Sequence, residues 1–337
     1  MATEIDAVEI IEGLNLAVET LPRAAALGRE AGASIDRIYL VACGSANRAM
    51  QGIQYWADHH GRNVEVRTFF PAEFMAINPP KLDKRTLVIL ASKSGKTPET
   101  VQAAEFVKGR TFRTVVLTQV DSSPLAQLGD EAFFVGNTTE SFTAIFMLIQ
   151  TIVGGVLETT DKWPLLDKLL QSLPALPQVI VDAARQNETR AAEDARLYKD
   201  DDKLYFVASG PVSTSAYVFG VCILMEMLWI HTYPIDAAEF FHGPFEVVTP
   251  ETPLVLLLGE DPSRPLMERV KRFALKTTER LMIYDSKDYA MDGIAPEIRP
   301  IVAPYVIQAA LKRMSVRLSI WRNQPLTTRR YMWKSEY

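Results

Sequence analysis

The chain has 337 residues, which is enough for about two domains, each with its own hydrophobic core. Its hydrophobic content of 48%, charged content of 23% and net charge of -5 are typical of a soluble globular protein and argue against a general nucleic-acid binder. The two cysteines, Cys43 and Cys222, lie in apolar segments and indicate buried thiols in a reducing compartment.

Three further features exclude other classes of protein. Histidine and cysteine do not occur at metal-binding spacings, so we expect no metal cofactor. The N-terminus lacks the basic and apolar regions of a signal peptide, which predicts a cytoplasmic protein. The longest uncharged stretch, residues 141–157, is shorter than the roughly 20 residues that span a membrane. It predicts a helix packed inside a domain or an interface, and no membrane association.

Apolar strands alternate with helices along most of the chain. Before them, residues 5–31 predict one or two amphipathic helices. The predicted strands are 37–42, 63–69, 87–91, 114–118 and 132–135 in the first half, and 204–208, 254–258 and 281–284 in the second. The predicted helices of the second half include 216–230 and 301–321. This alternation is typical of an α/β fold with two tandem, doubly wound parallel-sheet domains of the flavodoxin-like type.

Composition also suggests where the domains begin and end. We assign N-terminal helices to residues 1–34, a first domain to 35–160, a polar helical connection broken by prolines to 161–200, a second domain to 201–322 and a basic, aromatic tail to 323–337.

The segment Ser92-Lys-Ser-Gly-Lys-Thr97 follows a predicted strand and precedes a helix. Ligands of open α/β sheets bind at that end of a strand, and hydroxyl and backbone N–H groups at a helix start can cradle a phosphate monoester. A nucleotide-binding P-loop would need a glycine at position 90, which is Leu90, so we reject a nucleotide site. The alternative is that these hydroxyl groups only cap the helix.

Cys43-Gly-Ser-Ala-Asn47 occupies the same strand–loop–helix position earlier in the chain. Gly44 would let the backbone approach a ligand, and Ser45 has a hydroxyl group that can donate a hydrogen bond to it. A helix cap is again the alternative. Cys43 itself is interpreted as a core residue.

The apolar run 220–230 has helical length and carries a single charge, Glu226. Burying such a carboxylate is costly unless it is paired or used in chemistry. His242 follows sixteen residues later, in a turn set by a Gly-Pro pair. We predict that Glu226 and His242 are an acid/base pair. Alternatively, Glu226 is the structural partner of a buried Lys, Arg or His, and His231, at the end of the run, is interpreted as a helix cap.

These motifs, in this order, resemble the sugar isomerase (SIS) family. The isomerase domain of glucosamine-6-phosphate synthase has similar counterparts of Cys43-Gly-Ser-Ala, of residues 92–97, of the helix with Glu226, and of His242-Gly-Pro. Within the family, the chain is most similar to the fructosamine 6-phosphate deglycases. That similarity extends to residues 36–45, 239–246 and 257–264, and to the ending Arg329-Arg-Tyr followed by Glu336-Tyr337.

The resemblance implies two SIS domains and a role for each motif. The residues implied at the phosphate and sugar of the substrate are Gly44, Ser45, Ser92, Lys93, Ser94 and Thr97. Glu226 and His242 are implied in proton transfer, with the histidine reaching the site from the neighbouring subunit of a homodimer. Lys334 corresponds loosely to an imine-forming lysine of the aminotransferring isomerases, and the alternative is a solvated tail residue. Ile223 replaces another lysine of those isomerases, which argues against synthesis of glucosamine 6-phosphate.

The sequence therefore predicts hydrolysis of a fructosamine (Amadori) amino-acid 6-phosphate to glucose 6-phosphate and a free amino acid, through enaminol and imine intermediates and without a cofactor. The alternatives are a phosphosugar isomerase, an amino-sugar-phosphate deaminase, and a regulator that binds a phosphosugar without turning it over. No motif identifies the amino acid that is released.

Overall fold

Two parallel β-sheets organise the chain. The structure, a computed structural model, describes residues 4–335, so Glu336 and Tyr337 of the deglycase-like ending lie outside the described residues. These residues form two units, one of residues 7–177 and 293–298, the other of residues 4–6, 178–292 and 299–335.

The first unit contains a five-stranded sheet with the order β2-β1-β3-β4-β5, in which all neighbouring strands are parallel. Every residue of β1 and β3 is buried, as expected for central strands that helices cover on both faces. The strands are β1 (Arg37–Ala42), β2 (Glu65–Phe69), β3 (Thr86–Ala91), β4 (Arg113–Thr118) and β5 (Glu131–Phe134). The helices are α1 (Ala7–Gly32), α2 (Gly44–His60), α3 (Pro71–Ile77), α4 (Pro98–Val107), α5 (Ser141–Asp161) and α6 (Leu166–Ser172).

Helix α5 contains the long uncharged stretch, and residues 142–157 of it are all buried. It packs closely against α1, since a Cβ atom added to Gly155 would lie 2.6 Å from the carbonyl oxygen of Ala25. A methyl group there would force the two helices apart. As predicted, the uncharged stretch is a helix packed inside a domain.

The second unit contains a four-stranded parallel sheet with the order β7-β6-β8-β9. Its strands are β6 (Lys203–Ala208), β7 (His231–Asp236), β8 (Leu254–Leu258) and β9 (Leu281–Asp285). Its helices are α7 (Leu176–Gln186), α8 (Glu188–Tyr198), α9 (Ser213–Tyr217), a π-helix (Val218–Leu228), α10 (Ala237–Phe240), α11 (Arg264–Thr277) and α12 (Arg299–Trp321). The two parallel sheets confirm the predicted α/β fold class.

Among the described residues, two helical segments are long and apolar enough to cross a membrane by length and composition alone, namely α5 and Gly210–Leu228. Buried core helices give the same weak signal, and 89% and 56% of the respective windows are buried.

The segment after residue 216 differs from the prediction. The predicted helix 216–230 changes from α to π geometry at Val218 and ends at Leu228, because Trp229 adopts a left-handed conformation with a φ of 57°. The chain then enters β7, which was not predicted. Pro234 lies inside β7, and five of the six side chains of this strand are exposed or half-buried. The segment therefore lacks the apolar signature of a strand. Both features are tolerated because β7 is the edge strand of its sheet.

Candidate functional site

In the first unit, the two loops with hydroxyl groups begin side by side. Strands β1 and β3 are neighbours, and Ala42 pairs with Ala91, so the loops that follow these residues leave the sheet at the same edge. The chain reverses its direction of winding between these strands, with β2 on one side and β4 on the other. Such a switch point is where open α/β sheets bind ligands.

The loop 92–97 has a fixed internal geometry. Ser92 is 5% exposed, its Oγ accepts a hydrogen bond from the backbone N–H of Gly95 at 3.2 Å, and it lies 2.9 Å from Oγ1 of Thr97. Gly95 has a φ of 64°, which favours glycine. Lys93 and Ser94 are exposed. The loop thus presents an ammonium group and a hydroxyl group to solvent at the start of α4.

Helix capping does not account for the hydroxyl groups of this loop. Thr97 is the N-cap residue of α4, but its side chain makes no capping hydrogen bond within the described chain. Thr97 instead contacts Ser92. The rejection of a nucleotide P-loop is consistent with the structure, because Leu90 is a fully buried residue of β3.

The loop after β1 is similar. Gly44 is exposed and has a φ of 57°, and a Cβ atom there would meet nothing within 4 Å. Ser45 is half-buried, and the N-cap residue of α2 is Cys43, whose side chain makes no capping bond within residues 4–335. Burial raises the pKa of the Cys43 thiol, and the nearby Glu99 raises it further, which disfavours the reactive thiolate.

In the second unit, Glu226 faces a cavity of about 450 Å³ at the end of the π-helix. The cavity is lined by residues around this helix end and by the C-terminal tail, including His231, Arg329 and Arg330. Oε1 of Glu226 forms an ion pair with Nη2 of Arg329 at 2.7 Å. The side chain of Arg329 is only 9% exposed, against 26% for Glu226. The interpretation of Glu226 as the partner of a buried cation is therefore realised, but at the wall of a cavity.

Two opposing effects act on the pKa of Glu226. Burial raises the pKa of this carboxyl group, whereas the charge of Arg329 and its hydrogen bond lower it, and the net shift is upward. A carboxylate with a raised pKa is a stronger base, which suits proton abstraction from carbon.

Sequence reasoning overlooked the basic wall of this cavity. The guanidinium group of Arg330 lies over the ring of Trp229, 4.0 Å from its centroid. Nζ of Lys334 donates a hydrogen bond of 2.6 Å to the backbone carbonyl of Arg329, so Lys334 contacts the residue that pairs with Glu226. The sequence signals were the basic, aromatic character of the tail and the similarity of Arg329-Arg-Tyr to the deglycases.

His231 is not the cap that the sequence suggested. The helix ends at Leu228 and is capped by Trp229, whose backbone N–H bonds to the carbonyl of Leu224, and His231 is the exposed first residue of β7. Its position at the start of a strand places it in the wall of the cavity with Glu226.

Within one chain, His242 is not close to Glu226. Glu226 shares its cavity with His231, at the start of β7, whereas His242 follows the other end of that strand. The six residues of β7 span roughly 17 Å, and α10, with four residues, covers only about 6 Å. By these lengths the exposed His242 lies at least about 11 Å from the start of β7, where the Glu226 of its own chain lies.

The turn that carries His242 is held by aromatic packing. The Phe241 ring lies 5.7 Å from that of Phe245 and 5.6 Å from that of Phe273 in α11, and Arg269 lies over it at 4.2 Å. Gly243 then adopts a φ of 140°, outside the range of ordinary side chains. This anchoring fixes the backbone of an exposed histidine.

The chain is similar to known proteins over most of its length. Residues 33–153 match the sequence model of the SIS domain. The chain is 35% identical over 311 residues to the fructosamine deglycase FrlB of Bacillus subtilis, covering 91% of this chain and 94% of that relative. It is 35% identical over 316 residues to an agropine synthesis conjugase of Rhizobium rhizogenes, covering 91% and 88%.

Two further similarities extend over most of the chain. The fructoselysine 6-phosphate deglycase of Escherichia coli is 30% identical over 298 residues, covering 88% of this chain and 85% of that relative. The crystal structure of a candidate phosphosugar isomerase from Bacillus subtilis superposes with a TM-score of 0.86 at 33% identity, covering 94% of this chain and all of that one.

Proposed function

The chain belongs to the SIS family, within its fructosamine deglycase branch, and we propose that it hydrolyses an Amadori compound carrying a 6-phosphate to glucose 6-phosphate and a free amino acid. Glu226 carries this proposal, because it is a half-buried carboxylate with a raised pKa at the wall of a cavity. No cofactor takes part in the proposed reaction.

The phosphate anchors one end of the substrate. We assign it to Ser45, Ser92, Ser94 and Thr97, with Gly44 and Lys93 also in the binding site for the phosphate and sugar. The support is the shared edge of β1 and β3 and the Thr97 hydroxyl group, which makes no capping bond within the described residues. Binding energy from this remote group positions the reacting carbons, which lowers the barrier of the chemical step.

Glu226 and His242 move the protons. His242 assists ring opening by moving a hydroxyl proton. Glu226 removes a proton from C1 of the open-chain ketosamine as the C2 oxygen takes up a proton, which gives an enaminol. Glu226 then returns its proton at C2 as the nitrogen releases one, which gives an imine at C1. Water adds to the imine, the C1–N bond breaks, and glucose 6-phosphate and the amino acid leave. Lys334, through its bond to the Arg329 carbonyl, is assigned a supporting role in the tail.

The separation of Glu226 and His242 within one chain supports a homodimer with shared sites. In this arrangement each site takes its carboxylate from one subunit and its histidine from the other. We further propose a cytoplasmic protein with the domain boundaries predicted above, which binds neither nucleic acid nor membranes.

Mixed dimers test this arrangement. Co-expressed Glu226→Gln and His242→Ala chains form heterodimers in which one site lacks both groups and the other has both. With random pairing, about a quarter of the wild-type activity should return, although each variant alone is inactive. Mixtures as inactive as the two separate variants would refute shared sites.

The reaction itself is tested with a panel of phosphorylated Amadori compounds and with glucosamine 6-phosphate. If glucose 6-phosphate is released from the Amadori compounds and glucosamine 6-phosphate is not converted, the deglycase activity is supported. Turnover of glucosamine 6-phosphate instead would indicate the isomerase or deaminase alternative. A chain that binds these compounds and converts none would be a regulator.

The similarity to an agropine synthesis conjugase favours a second candidate, conjugation in place of hydrolysis. Incubation of glucose 6-phosphate with each amino acid, followed by mass spectrometry, separates it from hydrolysis. A condensation product formed faster than any Amadori compound is hydrolysed would favour the second candidate.

A further inference from the structure

We propose that Arg330, stacked on Trp229 and assisted by Arg329, binds the carboxylate of the amino-acid half of the substrate. This inference rests on the proposed function and assigns the specificity that the sequence left open. It makes Arg330 a specificity-determining residue and a conjugated α-amino acid, attached through its α-nitrogen, the preferred substrate.

The cavity around Glu226 carries an excess of positive charge. Two guanidinium groups, those of Arg329 and Arg330, face one carboxylate. Arg329 uses Nη2 for Glu226 and Nη1 for the carbonyls of Leu326 and Thr328, whereas its buried Nε has no acceptor within residues 4–335. A buried, unpaired N–H donor is costly, so a second anion would be stabilised here.

Arg330 is arranged as a second cation for such an anion. The central carbon of its guanidinium group lies over the Trp229 ring, 4.0 Å from the centroid, and the group forms no ion pair in the described part of the chain. This contact restricts the side chain, so less side-chain freedom is lost when the guanidinium group binds a carboxylate through two hydrogen bonds.

The chemistry of the substrate places a carboxylate at this point. In an α-amino-acid conjugate, the carboxylate carbon is only three bonds from C1, the carbon from which Glu226 takes its proton. Two carboxylates so close repel each other unless a cation lies beside them. Arg329 already contacts Glu226, and Arg330 is the adjacent residue, so the pair supplies the missing charge.

Two substrates that differ only in the carboxylate test the inference. One is the 6-phosphorylated Amadori compound of glycine and the other that of methylamine. The ratio of their kcat/KM values should favour the glycine compound by about ten- to a hundredfold in the wild-type protein, the range for a hydrogen-bonded charge pair. Arg330→Ala should reduce this ratio at least tenfold, and Arg330→Lys should reduce it less.

The exposed Arg196 on α8 offers a matched control, since Arg196→Ala removes the same charge from the same unit. The inference is overturned if Arg330→Ala slows both compounds equally, as it would if Arg330 bound the phosphate. A ratio near one in the wild-type protein would also overturn it.

Calorimetric dissociation constants for the same pair of compounds separate this inference from the proposed function. The protein could hydrolyse neither compound and still bind the glycine compound more tightly, with a preference that Arg330→Ala removes. That result would support the carboxylate site and refute the proposed reaction. Equal binding of the two compounds overturns the inference whether or not hydrolysis occurs.

Discussion

Replacing Glu226 by glutamine tests the central residue of the proposed mechanism, because glutamine has almost the same shape but cannot act as the base. General acid–base catalysis contributes about 10²- to 10⁴-fold to a rate, which corresponds to about 2.7–5.4 kcal/mol at 1.36 kcal/mol per tenfold. We therefore expect glucose 6-phosphate release to fall by at least about a hundredfold.

The cost to stability should be much smaller. A hydrogen bond between charged groups contributes about 1.5–3 kcal/mol, and the glutamine oxygen can still accept a bond from Arg329, which is 2.7 Å from Glu226. We expect the free energy of unfolding to fall by about 1–2 kcal/mol, which leaves a domain of ordinary stability folded. The Glu226→Gln protein should thus lose its activity while it stays folded.

The assay follows two signals. Release of glucose 6-phosphate reports the whole reaction, and exchange of the C1 hydrogen for deuterium, followed by NMR, reports the proton abstraction alone. The exposed Glu279 supplies the control, since Glu279→Gln removes a carboxylate of the same unit outside the cavity. A Glu226→Gln protein with activity within tenfold of wild type, or with undiminished exchange at C1, would refute the assignment.

Three further predictions follow from the same geometry. Because the base must be ionised and burial raises the pKa of Glu226, kcat/KM should fall as the pH decreases through a midpoint above 4.5. Arg329→Met removes the cation that lowers this pKa, so it should move the midpoint to higher pH. An unchanged pH profile would contradict the pairing of Glu226 with Arg329. Gly95→Ala should raise KM and lower the melting temperature, because the φ of 64° disfavours alanine and its Cβ would collide with Ser123; unaltered KM and melting temperature would contradict the fixed loop. His242→Asn should abolish activity with little change in the melting temperature, since this side chain is exposed, and a large loss of stability would indicate a structural role instead.

The fold was predictable where burial leaves a pattern in the sequence. Strands β1, β3 and β8 are buried on both faces, so they read as short, continuous apolar runs between loops. Strand β7 was missed because an edge strand needs neither a buried pattern nor a complete set of N–H donors, and Pro234 contradicts the usual signature.

The candidate site was predictable only in part, for a related reason. Glu226 stands out because a charge in an apolar helix is unusual. Arg329 and Arg330 are ordinary residues of a basic tail, and only the fold places them against that helix. Likewise, the sequence predicted Glu226 and His242 as an acid/base pair, but the strand β7 that separates them within one chain left no signal.

The position of the tail has a practical consequence for handling the protein. Arg329 and Arg330 line the cavity around Glu226, and Lys334 is bonded to the backbone beside them. Any change to residues 329–334, by substitution, insertion or limited proteolysis, would therefore reshape the cavity that Glu226 faces. Loss of activity after such a change would report damage to the cavity even when both sheets remain folded.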